Sequence, residues 1–247
     1  MKIVGIIPAR LGSTRLSAKP LRDLAGKPLI QRVYENATHF GLDDLIVATD
    51  HDDIVSVIEA AGGKAMLTPS SLPSGTYRCA HLAPDIDADV IINIQGDEPF
   101  LLKEQVDVLS KAFLTADTEI ATLCYQLKDA ASLSKPSVVK LVKDLHGNAL
   151  YFSRSPIPFI RNHELNDWTN QHTFYKHIGV YAFRKKTLLK IAGYSQGVLE
   201  QAESLEQLTW LENGHRIKVV ETADECMSID TEEDLQKAIN HYNQQSF

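Results

Sequence analysis

A group of basic residues follows the first apolar run of the chain. Between Pro8 and Pro28 the sequence carries one acid and five cations, which are Arg10, Arg15, Lys19, Arg22 and Lys27. This segment has a net charge of +4, whereas the whole chain has a net charge of −7. Guanidinium and ammonium groups on a loop with Gly and Ser suit the oxygens of a di- or triphosphate. The loop has neither the GxxxxGK[ST] nor the GxGxxG pattern, and a solvated basic loop is the alternative interpretation.

Two acidic segments offer ligands for a metal ion. Asp97 and Glu98 follow the apolar run IINIQ, and Asp230 precedes the helical pattern EEDLQKAI. Carboxylates at the end of a strand are hard oxygen ligands that hold Mg²⁺ against phosphates. Both segments also fit a purely structural role, because acids and Asp-Thr pairs commonly cap helices.

A third group of polar residues lies in the second half of the chain. Arg154 stands in SRSPIP, and His177 and Tyr181 stand in KHIGVYAF, four positions apart on one face of a predicted strand. They are compatible with an acidic sugar, Arg154 binding a carboxylate and the other two binding hydroxyls. A buried histidine and a packed tyrosine of the core are the alternative. The segment LEQAESLEQL has helical spacing typical of a solvent-exposed face at Glu200, Glu203 and Gln207.

The elements that must position these residues alternate along the chain. Strand-like runs such as KIVGIIP, DDLIVATD and ADVIINIQ are separated by helical patterns such as PLIQRVYENATHF and DDIVSVIEAAGG. This order predicts βαβ units and an open parallel sheet with helices on both faces over the first ~115 residues. The apolar patterns of the second half predict further strands, some of them antiparallel. They also predict helices near KKTLLKIAG, EQAESLEQLTWLENG and EEDLQKAINHY. We expect one domain over residues 1–247.

Composition excludes several classes of protein. The chain has 247 residues, 44% of them hydrophobic and 23% charged, which argues against a disordered, collagenous or membrane protein. No apolar stretch approaches the ~18 residues that a membrane span needs, and no secretory peptide is indicated, so we expect a cytoplasmic protein. The net negative charge argues against binding to nucleic acids or acidic membranes. Cys79, Cys124 and Cys226 are far apart and predict neither a disulfide framework nor a zinc site.

Taken together, these segments resemble those of the CMP-Kdo synthetases, the 3-deoxy-manno-octulosonate (Kdo) cytidylyltransferases. The resemblance covers nearly the whole chain and rests on IIPARLGSTRL with KPL, AGKP, VATD, SGT followed by Arg78, NIQGDEP, YFSRSPIP, HIGVYAF, LEQAESLEQL, and IDT with EEDL. It implies a doubly wound, Rossmann-like nucleotidyltransferase sheet with an elaborated C-terminal half that supplies sugar-binding and dimerisation elements.

The resemblance also implies an activity and a set of site residues. Such an enzyme transfers CMP from CTP to the anomeric hydroxyl of Kdo and releases pyrophosphate, in lipopolysaccharide biosynthesis. It depends on Mg²⁺ and is a homodimer. The metal-binding carboxylates correspond to Asp97 and Asp230. The catalytic positions correspond to Arg10, Lys19, Asp97 and Asp230. The nucleotide-binding positions correspond to Arg10, Ser13, Lys19, Ser74, Gly75, Arg78 and Gln95. The sugar-binding positions correspond to Arg154, His177, Tyr181, Glu200 and Gln201.

Two departures from the family pattern leave alternatives open. Tyr77 stands where the family usually has an acid, and Ser17-Ala18 replaces Pro-Gly before Lys19. Loss of a glycine that tolerates positive φ predicts a differently shaped loop. The alternatives are a cytidylyltransferase for a related acid sugar, such as 8-amino-Kdo or a nonulosonate, and a catalytically silent homologue that binds CTP. A nucleotide-sugar oxidoreductase is disfavoured because the glycine fingerprint is absent.

Overall fold

The computed structural model describes residues 1–12 and 16–245. Its contacts fall into two compact units, where the sequence analysis expects one domain over residues 1–247. The first unit combines Met1–Asp107 with Cys226–Phe247, and the second comprises Val108–Glu225. The C-terminal segment therefore belongs to the same unit as the N-terminus.

Strands and helices alternate along most of the chain. The strands are β1 (Ile3–Ala9), β2 (Asp44–Thr49), β3 (Ala65–Leu67), β4 (Val90–Asn93), β5 (Ile120–Leu127), β6 (Lys140–Lys143), β7 (Ala149–Ser153), β8 (Phe174–Arg184) and β9 (Ile217–Thr222). The α-helices are α1 (Leu29–Ala37), α2 (Asp52–Ala60), α3 (Gly75–Leu82), α4 (Lys103–Lys111), α5 (Ala130–Leu133), α6 (Trp168–Gln171), α7 (Lys185–Ile191), α8 (Val198–Glu203), α9 (Gln207–Glu212) and α10 (Glu232–Gln245).

The first unit is built on the predicted parallel sheet. Its strands lie in the order β3-β2-β1-β4, and all three pairings are parallel. β1 and β4 are continuous apolar runs, and their central residues, such as Ile6 and Ile92, have no exposed surface. Such runs need cover on both faces of the sheet, as βαβ units provide. The carboxyl ends of β1, β3 and β4 lead into the loops that carry the candidate nucleotide-binding residues.

The second unit mixes parallel and antiparallel pairings. β5 lies between β8, which is antiparallel to it, and β9, which is parallel. β6 pairs antiparallel with both β7 and β8. These pairings confirm the predicted mixed α/β class, with an open, mostly parallel sheet and a partly antiparallel second half. Among the described residues, no helix has both the length and the apolar character needed to cross a bilayer.

One predicted helix is interrupted. The segment EQAESLEQLTWLENG forms two helices, α8 and α9, because α8 ends at Ser204, whose φ of 53° is left-handed. The Ser204 N–H closes the end of α8 by donating to Glu200 O at 2.7 Å. The change of direction buries Gln207, which is only 5% exposed. The interpretation of Glu200, Glu203 and Gln207 as one solvent-exposed face is therefore wrong for Gln207.

Candidate active site

In the first unit, one lysine lies between two carboxylates from distant parts of the sequence. Lys19 Nζ is 2.6 Å from Asp97 Oδ2 and 3.0 Å from Asp230 Oδ1, and it also donates to Ile229 O at 3.0 Å. These contacts use all three hydrogens of the ammonium group. The structure thus brings together the three residues that the sequence analysis singles out, and we call them the Lys–Asp cluster.

Backbone contacts hold both aspartates in place. Asp97 lies in the turn after β4, and its carbonyl oxygen accepts a hydrogen bond of 2.9 Å from Ile229 N–H. At the start of α10, the Asp234 carboxylate accepts from the backbone N–H groups of Asp230 and Thr231 at 3.2 and 2.9 Å. The Thr231 hydroxyl in turn accepts from Asp234 N–H, as in a capping box. Because Thr231 caps the helix, the Asp230 carboxylate can turn towards Lys19.

The electrostatics of the Lys–Asp cluster favour a further cation. Burial opposes the charged form of Lys19, but the Asp97 and Asp230 carboxylates outweigh it and raise the pKa of Lys19 above its usual 10.5. One ammonium against two carboxylates leaves a net negative charge. The described residues contain no group of three or more His, Cys, Asp and Glu side chains suited to a metal ion. The two carboxylates are hard oxygen ligands, and Mg²⁺ commonly takes one or two of these from the protein together with phosphate oxygens.

The basic loop is only partly free for an anion. Arg22 Nη2 donates to both carboxylate oxygens of Glu232, at 2.8 and 2.9 Å, and Lys27 Nζ pairs with the Glu35 carboxylate at 2.8 Å. Arg10 is exposed and pairs with no acid among the described residues. The candidate residue Ser13 and the cation Arg15 lie outside the described residues. Arg10 is therefore the described cation of this loop that is best suited to a phosphate, whereas a phosphate at Lys19 would have to replace one of its three hydrogen bonds.

The loop keeps a left-handed turn despite the absence of glycine before Lys19. Ala18 has φ 50° and ψ 36°, and it directly precedes the short 3₁₀ turn Lys19–Leu21. A residue with a Cβ is destabilised by roughly 1–2 kcal/mol in this left-handed conformation. Alanine thus adopts the positive φ itself at this position. The expected difference in loop shape from the family stays a prediction.

The residues predicted on the nucleotide side have different environments. Ser74 caps α3, its hydroxyl accepting from Tyr77 N–H at 3.4 Å. Gly75 lies against β1, where an added Cβ would come within 2.9 Å of Pro8 Cγ, so this position requires a small residue. Gln95 Nε2 donates to Asn93 Oδ1 at 3.4 Å, at the end of β4.

Arg78 has a structural environment. Its guanidinium is 3% exposed and pairs with Asp50 Oδ2 at 3.2 Å. It also donates to Thr68 Oγ1 and Pro69 O, just after β3. Arg78 thus ties the ends of β2 and β3 together. Its assigned contact with the nucleotide stays a prediction.

In the second unit, a bulge in β8 brings His177 and Tyr181 together. Thr122 of β5 pairs with Tyr181, but the next residue of β5 pairs with Ile178, so Gly179 and Val180 are extra residues on β8. Residues four apart on a regular strand are about 13 Å apart. Here the ring centroids of His177 and Tyr181 are 5.2 Å apart. The predicted shared face exists, but the bulge, rather than the spacing alone, makes the two rings neighbours.

The polar side chains around this bulge are neutral, and Tyr181 is buried whereas His177 keeps a part of its surface exposed. Burial lowers the pKa of His177 to about 3, and burial together with the Glu206 charge raises the pKa of Tyr181 well above 10. The Tyr181 hydroxyl lies near Thr122 but makes no hydrogen bond of normal geometry, and Gln207 Nε2 also has no partner among the described residues. Buried polar atoms left unpaired in this way indicate a place for a polar ligand.

Gln207 lies three positions before Trp210 on α9, and the Trp210 ring packs against Tyr181 at 4.9 Å between centroids. Residues three apart share a helix face, so Gln207 lies on the same face of α9 as Trp210. We call Thr122, His177, Tyr181 and Gln207 the His–Tyr cluster. Thr122 was not predicted from the sequence, and Gln207 was predicted to be solvent-exposed. The position of Gln207 beside the apolar residues Leu208 and Trp210 could have indicated that it is buried.

The other predicted sugar-binding residues are engaged elsewhere or exposed. Arg154 donates from three nitrogens to the carbonyl oxygens of Glu203 (2.6 Å), Pro136 (3.0 Å) and Ser204 (3.2 Å). Glu200 accepts from the Thr209 hydroxyl and from Gln196 Nε2, and Gln201 is exposed. The structure does not bring Arg154, Glu200 or Gln201 into contact with His177 or Tyr181 among the described residues, and their role in sugar binding stays a prediction.

Comparison with known proteins identifies relatives along nearly the whole chain. A family model described as cytidylyltransferase matches residues 4–217. A protein of Parabacteroides distasonis named 3-deoxy-manno-octulosonate cytidylyltransferase is 48% identical over 245 residues, which are 97% of either chain. A protein of the same name from Porphyromonas gingivalis is 44% identical over 249 residues, 99% of this chain and 98% of that one.

Solved structures give the same picture. A structure of CMP:2-keto-3-deoxy-manno-octonic acid synthetase complexed with CTP has a TM-score of 0.92 and 39% sequence identity, and the match covers 99% of this chain and 100% of that one. HddC from Yersinia pseudotuberculosis, complexed with GMP-PN, has a TM-score of 0.69 over 98% of this chain and 100% of that one, at 18% identity. The second match shows a shared fold alone.

Proposed function

This chain belongs to the cytidylyltransferase family, and we propose that it transfers CMP from CTP to the anomeric hydroxyl of Kdo, with release of pyrophosphate, for lipopolysaccharide biosynthesis. The observation that carries the proposal is the Lys–Asp cluster, where Lys19 Nζ lies within 3.0 Å of oxygens from both Asp97 and Asp230. The relatives that share this chain's length carry the name of this activity.

The first unit would bind the nucleotide and a metal ion. Asp97 and Asp230 would hold Mg²⁺, which when bound neutralises phosphate charge and polarises the phosphorus that the sugar hydroxyl attacks. Lys19 and Arg10 would offset the negative charge that develops on the departing pyrophosphate. No described side chain of the Lys–Asp cluster is a free base, so positioning and charge neutralisation are the main contributions of these residues.

The second unit would bind the acid sugar. Tyr181 Oη and Gln207 Nε2 are buried polar atoms without normal hydrogen-bond partners among the described residues, and sugar hydroxyls supply both donors and acceptors for them. Arg154 would bind the sugar carboxylate only after exchanging at least one of its bonds to backbone carbonyls. Dependence on Mg²⁺, a homodimeric state and a cytoplasmic location are further parts of the proposal and follow from the family resemblance.

Pyrophosphate release is the direct test. The protein is incubated with CTP and Mg²⁺ and with one acid sugar at a time: Kdo, 8-amino-Kdo or a sialic acid. We expect release with Kdo that ceases when Mg²⁺ is removed by a chelator and falls strongly in Asp97→Ala. Faster release with another sugar would change the substrate assignment. CTP binding by calorimetry without turnover on any sugar would instead support the silent homologue.

The Asp97→Ala variant needs a matched control, because a folding defect would also abolish release. Asp97→Asn keeps the size of the side chain and removes only its charge, and circular dichroism reports whether either variant is folded. Undiminished release in a folded Asp97→Asn protein would contradict the role of this carboxylate.

A further inference from the structure

The Thr122 hydroxyl is fully buried. It lies within hydrogen-bond distance of three groups but has only one proton to donate. Its Oγ1 is 3.0 Å from His177 Nε2, 2.8 Å from Val180 O and 3.2 Å from Ile178 O. The side chain has no exposed surface. Both carbonyl groups belong to the bulged part of β8, where the regular pairing with β5 is lost. Thr122 therefore gives the carbonyl groups of the bulge a side-chain partner.

Counting protons favours one direction for the bond to histidine. A hydroxyl has one proton to donate, and carbonyl oxygens only accept. Donation to Val180 O, the nearer carbonyl, leaves the Thr122 oxygen free to accept from His177 and so forms two bonds, whereas donation to Nε2 would leave both carbonyls without the Thr122 proton. The bond to His177 then forms only if Nε2 carries a hydrogen. A neutral imidazole has a single N–H, so Nδ1 is left as an unprotonated acceptor.

The surroundings of the His177 ring keep it in its neutral form. The ring contacts Phe152 and Tyr181, with centroids 5.1 and 5.2 Å away, and neither neighbour carries a charge. Burial lowers the pKa of His177 to about 3, so the ring is neutral near pH 7. No described residue bonds Nδ1, and the side chain keeps a partly exposed surface.

We infer that Thr122 is a positioning residue that fixes the tautomer of His177 and so leaves Nδ1 to accept a hydrogen bond from a hydroxyl of the acid sugar. The inference rests on the proposed function, because it assigns His177 to the sugar. It also decides which part of the sugar His177 contacts. An unprotonated Nδ1 attracts a hydroxyl and repels a carboxylate, so the carboxylate must be bound by another group.

Two variants at one position separate the hydroxyl from the packing of the side chain. Thr122→Val keeps the shape and removes the hydroxyl, and Thr122→Ser keeps the hydroxyl and removes a methyl group. Long-range ¹H–¹⁵N spectra of histidine-labelled protein identify which ring nitrogen carries the proton. We expect the Nε2–H form for His177 in the unmutated protein and in Thr122→Ser, and the Nδ1–H form or a mixture in Thr122→Val.

Kinetics supply the second readout. Loss of one acceptor bond to the sugar corresponds to roughly a tenfold rise in KM for Kdo in Thr122→Val. KM for CTP should change less than twofold, and Thr122→Ser should recover the KM for Kdo. A merely structural role would instead lower stability without separating the two KM values.

Several results would overturn the inference. An Nδ1–H form in the unmutated protein would refute it without any variant. An unchanged tautomer in a folded Thr122→Val protein would show that Thr122 does not select it, and an equal rise in both KM values would show a general defect. If the spectra change as expected but the unmutated protein releases no pyrophosphate with any acid sugar, the tautomer role of Thr122 stands and its assignment to a sugar hydroxyl is refuted.

Discussion

In the first unit, Lys19 joins two carboxylates by ion pairs, whereas in the second unit His177 and Tyr181 are held neutral by burial. The Lys–Asp cluster attracts cations because its two carboxylates outweigh its one ammonium group. The His–Tyr cluster suits uncharged hydroxyls because a charge in apolar surroundings is costly. The comparison teaches that the two clusters suit different ligands, a cation at the charged Lys–Asp cluster and uncharged polar groups at the His–Tyr cluster. Substitutions should therefore have different effects in the two clusters.

The largest effect should come from a carboxylate of the Lys–Asp cluster. In Asp230→Asn, we expect the rate of pyrophosphate release to fall roughly 10²-fold or more, because the variant loses a charged ligand for the metal and a partner of Lys19. Steady-state kinetics with CTP, Mg²⁺ and Kdo measure the change. Glu233→Gln removes the same charge from a 77% exposed side chain on α10 and serves as the control. Equal losses in both variants would mean that net charge alone, not a site at Asp230, governs the rate.

A smaller effect should appear in the free energy of unfolding at acid pH, through His177 of the His–Tyr cluster. His177 stays neutral in the folded protein down to a pKa of about 3, whereas the unfolded chain binds a proton near pH 6.5. The free energy of unfolding should therefore fall as the pH is lowered below 6.5, by roughly 2–4 kcal/mol at pH 4 from this group. Urea denaturation at a series of pH values measures it.

His177→Gln should remove that part of the pH dependence, although it lowers stability at pH 7. Replacement of the exposed His39 by Gln is the matched control and should leave the slope unchanged. The same slope between pH 6.5 and 4 in the unmutated and His177→Gln proteins would show that His177 is protonated in the fold and would remove the contrast between the two clusters.

The smallest effect should appear in the loop that carries Lys19. Ala18 has a φ of 50°, so Ala18→Gly should raise the free energy of unfolding by about 0.5–1 kcal/mol, because glycine adopts this conformation without strain. Gly26→Ala is the reverse change in the same loop. Gly26 has a φ of 84°, and an added Cβ would meet no described atom within 4 Å, so backbone strain alone should destabilise this variant. Urea denaturation compares the two, and a loss of stability in Ala18→Gly would contradict the argument.

The first unit could be predicted largely from local patterns. The apolar runs of β1, β2 and β4 and the helical periods between them predict the parallel sheet. The rule that ligands bind beyond the carboxyl ends of such strands then places Asp97 near the basic loop. Asp230 could be joined to them only through the family resemblance, because no local pattern in the sequence reports a contact between residues 211 positions apart.

The second unit was harder to predict because irregularities of the backbone decide its geometry. A glycine inside a strand, such as the one in KHIGVYAF, is a common sign of a bulge. It does not predict that the bulge contains two extra residues. The left-handed residue Ser204 likewise divides a continuous helical pattern and turns Gln207 inward. Both features depend on contacts made after the chain folds, and periodicity does not encode them.

The hydrogen bond from Ile229 to Asp97 has a consequence for biosynthesis of the protein. A ribosome makes the sheet strands β1 to β4 and the whole second unit before residue 230 exists. During that time Lys19 has only one of its two carboxylate partners. Chains cut short before residue 230 by premature termination thus contain Lys19 and Asp97 but lack the third member of the Lys–Asp cluster.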